Sequence, residues 1–521
     1  MIGDRVSKWW LRLNLARNSN SEETSKKTSI EPSGGKNGLL GSATQRLSLW
    51  RMALLTFALL LPAIVNGSAI PFPDTVSYIK GGPVALEKIG SLLSNFLPAD
   101  ASPSENTAGN DNSTVAEADP SKNIGAMRSA TYSVYAYLMG ALAKNGFFIV
   151  AGQAAMVAFA VTLFLRAFAP ALSAREFGVT ILILTLLTSA PWYGSFAMPD
   201  ILGAAAVLTM ALYFLYLDEL SIYEKFALAA ITAFAITAHP GNILLVAALA
   251  GLGGIERLTR DLRANRPFAF STYFWAGAPL ALGVGAILVV SFIGFGEASV
   301  APKRYPFALA RSVADGPGLW HLEKHCDTYH YAVCEVFDEI PQGVGEFLWE
   351  ETGLRYRATP EQLDRIRAEE MIIVSRAARE YPMAQIRKAV RNTYHQIIRV
   401  GIPAIILGQR LRRAEDDSWY MTETDYKNNR FVRPIETLQI SVIYASLVLL
   451  AYLLLWRKSA NANELRVIGL IAAAFLANAV ICGVLSGPAD RYQGRLIWIL
   501  PLIATVLTIA QKPWKTSTSK T

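Results

Sequence analysis

The sequence predicts an all-α polytopic membrane protein with about ten transmembrane helices, within a range of eight to twelve, and a mostly helical extracytoplasmic domain. Three observations predict it. Charged residues make up 17% of the 521, against about 25% in soluble domains. The mean hydropathy is +0.29. The apolar residues also come in blocks rather than at amphipathic spacing, and a bilayer core about 30 Å thick needs roughly 20 of them per helix.

Residues 1–48 are rich in Ser, Asn, Lys and Arg, with a glycine pair at 34–35. They predict a disordered cytoplasmic tail, with a short amphipathic helix around Trp9, Trp10 and Leu13 touching the membrane surface. No cleavable signal peptide is visible, because the first apolar stretch starts near Trp50 after this polar tail and reads as a signal anchor. Spans are predicted at 50–70, 147–168, 177–191, 199–217, 225–238, 241–254, 273–295, 437–456, 465–486 and 493–510. The third, fifth and sixth are short for a full crossing and read as tilted pairs or partly re-entrant segments, which sets the range on the count. The chain thus divides into a transmembrane core over 49–295 with a first outer loop at 71–146, an extracytoplasmic domain over 296–436, C-terminal spans over 437–511 and a tail at 512–521.

Lysine and arginine orient the chain. With the N-terminal tail in the cytoplasm, Arg166–Arg175, Asp218–Lys225, the run Arg257, Arg260, Arg263 and Arg266, the loop Trp456–Arg466 and the Lys-rich C-terminal tail all fall inside. The links at 191–199, His239-Pro240 and 487–492 fall outside and are mostly neutral. We therefore expect an inner (plasma) membrane protein with both termini cytoplasmic. The net charge of +8 is dispersed between apolar blocks, so it sets topology and predicts no nucleic-acid partner; the partner is the lipid bilayer.

Within the first outer loop, Ala101–Lys122 is a low-complexity Ser/Asn/Asp/Ala linker. Within 296–436, Thr359 is expected to cap a helix, with Pro360 at its first position and Gln362 completing a capping box. That helix runs through Ile366, Met371 and Val374, and Pro382 starts another. Both are basic and amphipathic, as suits helices lying against the outer leaflet.

Four places carry candidate chemistry. Asp74, in Pro71-Phe72-Pro73-Asp74-Thr75-Val76-Ser77-Tyr78, emerges from the first span, where it is placed either as a general base or as a helix cap. Asp200, in Met198-Pro199-Asp200, begins the fourth span, as a functional acid at the membrane boundary or as a favourable charge at a helix N-terminus. Arg491 and Arg495 lie four apart in Asp490-Arg491-Tyr492-Gln493-Gly494-Arg495, hence on one helix face. Their forked donors suit a phosphate, the plainer reading being anchors among the headgroups. Tyr78 and Tyr492 flank these groups and His239 marks the outer tip of the fifth and sixth spans, so all three join the expected substrate-binding set. The fourth place is His321-Leu322-Glu323-Lys324-His325-Cys326 with His330 and Cys334. His321 and His325 at helical spacing, with Cys326, offer zinc ligands. An oxidising compartment instead favours a Cys326–Cys334 disulfide, and we expect the disulfide, with no metal indicated. Cys482 sits within a span and reads as inert. No G-x-x-x-x-G-K-[ST] loop is present, which argues against direct ATP coupling, and no inverted repeat with interrupted helices is visible.

The pattern resembles the GT-C superfamily of polytopic glycosyltransferases, and is similar to protein O-mannosyltransferases and lipid A aminoarabinose transferases. Pro73-Asp74-Thr75-Val76-Ser77-Tyr78 looks like that family's acidic motif, usually Asp-Glu followed by a Tyr, with Thr75 standing in place of Glu. Asp200 looks like the additional acidic residue that some members place on a later outer turn. Arg311-Ser312-Val313-Ala314-Asp315-Gly316-Pro317 and Asp490-Arg491-Tyr492-Gln493 also look like segments of uncharacterised bacterial membrane proteins. The resemblance implies an inverting enzyme that takes a sugar from a polyprenyl-phosphate carrier to an envelope glycan, lipid or protein acceptor; no cofactor is expected, a divalent metal being left open but not indicated. It implies Asp74 as base, Asp200 in support, and Arg491 and Arg495 on the carrier phosphate. The competing classes are an envelope transporter, flippase or polymerase, which should place acids mid-span, and a non-catalytic scaffold, which should tolerate loss of Asp74.

Overall fold

The computed structural model describes residues 40–96, 129–301, 304–402, 408–422, 432–456 and 461–510. The tail helix expected around Trp9, the 101–122 linker and the 512–521 tail lie outside the described residues. The chain divides at residue 49 into two units, and the fold described is that of Trp50–Thr521.

The molecule is built almost wholly from helices, and its apolar helices make it a multi-pass membrane protein. Among the described residues six helices, rather than the ten expected, are long and apolar enough to cross a bilayer: Phe147–Phe168, Gly241–Arg263, Phe270–Phe295, Arg433–Leu455, Ala462–Leu485 and Asp490–Ile509. The other four expected spans are also helices, but shorter. The first breaks at Leu60: Leu40–Leu59 gives way to Leu61–Asn66, with Pro62 in its first turn and Gly67 ending it at φ 66°. Ala174–Leu187, Leu202–Leu215 and Ile222–Ala238 run 14, 14 and 17 residues.

Burial explains why length misled. In Leu202–Leu215 the residues from Leu202 through Phe214 are all buried, so this apolar helix has protein rather than lipid on every side. By contrast Leu282, Val289 and Phe292 of Phe270–Phe295 are each more than half exposed, at 58%, 58% and 63%, as expected of a helix facing hydrocarbon. Helix starts follow the chain's local chemistry. Ser173 with Glu176, Ser221 with Glu224, Asn461 with Glu464 and the expected Thr359 with Gln362 each form a complete capping box.

The 304–399 segment carries its own core, centred on Leu309, Leu322, Val333, Phe347, Ile366 and Ile373. The two longest helices there, Pro360–Glu380 and Pro382–Ile398, begin at the expected prolines. Pro382–Ile398 packs along the apolar helix Ala462–Leu485, and a Cβ on Gly483 would lie 2.8 Å from the Asn392 carbonyl oxygen. Gln396 and Ala489 seal the contact with reciprocal hydrogen bonds of 2.9 Å. The opposite stripe of this helix, Met383, Ile386, Val390 and Tyr394, is 56–68% exposed, which fits the expected contact with a membrane surface.

The 296–436 segment is not entirely helical. Strands Leu411–Arg413 and Trp419–Met421 pair antiparallel, with Arg412 opposite Tyr420. Ser68 holds this hairpin, accepting from the Leu411 amide at 2.9 Å and donating to its carbonyl at 3.1 Å. Three-residue strands leave too short an alternation to be read from sequence.

Candidate functional site

The site is assembled by two loops that the backbone ties together. Ile70 and Phe196 form an isolated parallel bridge, with the Ile70 amide on the Ser195 carbonyl at 2.9 Å and the Ala197 amide on the Ile70 carbonyl at 3.0 Å. Thr75 completes the join. Its hydroxyl accepts from the Phe72 amide at 2.8 Å and donates to the Ala197 carbonyl at 3.0 Å, and it is 1% exposed. The loop bearing Asp74 and the loop leading to Asp200 are thereby fixed to each other. Gln153 reinforces the second loop by donating to the Phe196 carbonyl and accepting from the Tyr132 hydroxyl.

Asp74 immediately precedes the helix Thr75–Phe96, and its carbonyl accepts from the Tyr78 amide at 3.1 Å. Asp74 therefore stands at the position that caps this helix and is partly exposed. Its carboxylate stands 3.9 Å from Arg491 Nη1. Arg491 is held between two rings, its guanidinium carbon 4.9 Å from the centroid of Phe72 and 5.0 Å from that of Tyr492. Contacts of this kind orient the fork before anything binds to it.

Asp200 and Arg495 form a second pair at the same separation, 3.9 Å. Asp200 lies in the short turn Pro199–Ile201 that leads into Leu202–Leu215, and is 3% exposed. Arg495 is wholly buried at 0%, which excludes a headgroup anchor. One Arg495 nitrogen donates to Asn478 Oδ1 at 3.0 Å. Asp200 Oδ1 and Arg495 Nε and Nη1 have no hydrogen-bond partner among the described residues. Gly494 permits the close packing here: a Cβ would fall 2.5 Å from the Tyr193 hydroxyl and 2.7 Å from the Gly401 carbonyl. Burial, reinforced by the Asp200 carboxylate, pushes the Tyr193 hydroxyl well up, so it stays protonated.

A cavity of about 780 Å³ opens beside these pairs, within the usual size range of a ligand site. Asp74, Tyr78, His239, Arg491 and Tyr492 line it, whereas Asp200 and Arg495 are set behind that wall. The two arginines expected side by side on one face are thus divided, and only Arg491 presents its fork to the cavity. The His239 ring accepts from the Gly241 amide at Nδ1, at 3.1 Å, which leaves Nε2 as the nitrogen that carries a proton. The lining also includes the aliphatic side chains Leu244, Ile287, Val290, Ile481 and Leu485. Cys482, buried in its helix, touches the cavity edge.

Sequence reasoning missed three further lining residues, Arg304, Trp349 and Arg355, which come from the 304–399 segment. Arg304 donates to Glu370 at 2.9 Å, and Arg355 Nε, buried, has no hydrogen-bond partner among the described residues. Both arginines lie in the long 296–436 segment, where positive charge carries little topological signal, so nothing in the sequence singles them out. Cys326 and Cys334 are joined as a disulfide, with Cα atoms 5.9 Å apart, so Cys326 is no metal ligand. His321 and His325 instead face Glu380, away from the cavity.

No protein-family model, no curated protein and no solved structure matches this chain.

Proposed function

We propose that this chain is a membrane glycosyltransferase that moves a sugar from a polyprenyl-phosphate carrier to an envelope acceptor, in the inner membrane with both termini cytoplasmic. One observation carries the reading. Asp74 faces an oriented arginine, Arg491, in a cavity whose lining combines charged and aliphatic side chains. Such a cavity matches an amphiphile with an anionic head and a hydrocarbon tail.

In this reading the carrier's tail lies along Leu244, Ile287 and Val290, and its phosphate meets the Arg491 fork. Asp74 takes the proton from the acceptor hydroxyl as that oxygen attacks the anomeric carbon. The bond from that carbon to the phosphate oxygen breaks, and Arg491 stabilises the charge gained by the leaving phosphate. Displacement from the opposite face inverts the sugar. His239, with Nδ1 occupied, offers its Nε2 proton to a sugar or phosphate oxygen. Asp200 and Arg495 do not touch the substrate; they set the field behind Arg491 and His239.

A coupled carrier would place acids mid-span. The buried acids among the described residues, Asp200, Asp261, Asp315 and Glu370, instead lie at helix ends or in the 304–399 segment. The test is Asp74→Asn in reconstituted vesicles supplied with lipid-linked sugar. Transfer should fall by about 10²–10⁴, the usual worth of a general base, with insertion and abundance unchanged. Normal transfer by this variant would sink the assignment.

A further inference from the structure

We infer that His321, His325 and Glu380 form a binding site for a divalent transition metal, zinc by its donor set, that ties the helix Pro317–Tyr329 to the end of Pro360–Glu380. The site lies apart from the cavity and stands whether or not that cavity binds a sugar lipid.

Two imidazoles converge on a single carboxylate oxygen. His321 Nδ1 is 2.7 Å from Glu380 Oε2, and His325 Nε2 is 3.3 Å from the same atom. All three donor atoms lie within 4.8 Å of one another. Zinc bonds of roughly 2.0–2.2 Å at tetrahedral angles put donor atoms about 3.3 Å apart. The His325–Glu380 separation already has this value. The His321–Glu380 contact is a hydrogen bond, and must lengthen by about 0.6 Å as the metal replaces its proton. His321 and His325 are four apart on one helix, so a single turn of backbone presets their spacing.

The surroundings hold the ligands in place. His321 is 3% exposed, and its other nitrogen, Nε2, lies 3.2 Å from the Tyr331 hydroxyl, the kind of outer contact that fixes a ligand's tautomer. Arg376 anchors that hydroxyl at 2.9 Å. The disulfide Cys326–Cys334 holds the end of the His-bearing helix to the segment that supplies Tyr331. Lys324 binds the second carboxylate oxygen of Glu380 at 2.7 Å, leaving Oε2 for the metal.

The pattern also says what the site is not. Zinc proteases place a glutamate directly after the first histidine, as general base. Here that position is Leu322, fully buried, and the neighbouring Glu323 is exposed. Three protein ligands with water in the fourth position make an open site by coordination, and because the ligands come from two helices the metal also braces them.

The experiment uses the untagged full-length protein in detergent, disulfide intact, titrated with zinc against a chromophoric chelator. One equivalent should bind, and binding should raise the thermal midpoint. His325→Ala and Glu380→Gln should each weaken affinity at least tenfold and abolish the zinc-dependent rise. His325 is partly exposed, at 24%, so His325→Ala is the variant least expected to disturb folding. Cobalt substitution adds a readout independent of stability, since tetrahedral nitrogen and oxygen ligation gives intense visible bands. Absence of stoichiometric zinc binding, or equal binding by His325→Ala, would overturn the proposal.

Discussion

Asp74 faces Arg491 and Asp200 faces Arg495 at one and the same distance, 3.9 Å, yet the two pairs sit in different surroundings. The first lines the cavity, with side chains 19% and 24% exposed; the second is sealed at 5% and 0%. In an accessible pair each charge keeps part of its hydration, so a ligand can compete for the contact. In a sealed pair each charge depends on the other, because removing one leaves its partner stranded in a medium that solvates it poorly. The comparison teaches that spacing alone does not assign a role to a carboxylate and an arginine. Access does.

The largest expected effect breaks the sealed pair. Arg495→Ala leaves the buried Asp200 with only its longer-range attraction to Arg491 and should cost up to about 3–5 kcal/mol, read as a large fall in thermal midpoint and in membrane abundance. Replacing both partners together, Asp200→Leu with Arg495→Met, should recover much of that loss, since apolar groups of similar size often serve as well as a buried pair. If the double variant is no more stable than Arg495→Ala, the two residues do not act as a pair. Asp74→Asn supplies the contrast: stability should move by less than about 1 kcal/mol while transfer collapses. A midpoint that falls as far as that of Arg495→Ala would erase the distinction between the two.

These differences also mark what the sequence held. Asp74, Asp200, Arg491 and Arg495 were legible because each is a charge at the edge of an apolar block, where a charge is costly and calls for an explanation. Their division into an accessible and a sealed pair was not. That division depends on how the Pro199–Ile201 turn packs against the Asp490–Ile497 helix, a contact between segments distant in sequence, and on how Asn478 holds Arg495. The count of ten spans is not confirmed, and Leu202–Leu215 gives one reason, since it is as apolar as a lipid-facing helix but is surrounded by protein. Thr75 looked like a departure from an acidic motif, and only the folded loops reveal it as the tie between Phe72 and Ala197. Arg304 and Arg355 reach the cavity through the fold of the 304–399 segment, which periodicity does not specify.

Thr75 gives the next largest effect and tests whether the two pairs are held in register. Thr75→Val keeps the shape of the side chain but leaves the Phe72 amide and the Ala197 carbonyl without their partner. Unsatisfied buried groups cost about 1–3 kcal/mol, so the midpoint should fall by less than in Arg495→Ala. Transfer should fall too, because the Asp74 loop loses one of its ties to the Asp200 loop, the Ile70–Phe196 bridge being left in place. Full transfer by Thr75→Val would show that Asp74 is positioned by something else.

The smallest effect comes from a third pair, Glu335 and Arg365, which sets the baseline for a carboxylate and an arginine on the surface. Their contacts are 2.7 and 2.9 Å, far closer than either pair at the site, yet the side chains are 43% and 51% exposed. The hydrogen bonds from Arg365 hold the Glu335 carboxyl below its ordinary value of 4.5. A depressed carboxyl favours the folded state above the unfolded value, and that contribution is lost as the pH falls from 4.5 through the folded value. Wild type should therefore melt slightly above Glu335→Gln at neutral pH, and the gap should close below pH 4.5. It should close as well in 1 M salt, where exposed charges are screened within about 3 Å. The sealed pair should keep its effect in the same salt, because buried charges are screened far less. A Glu335→Gln penalty as large and as salt-resistant as that of Arg495→Ala would mean that access does not govern what these pairs contribute, since the shortest and the most buried would then behave alike.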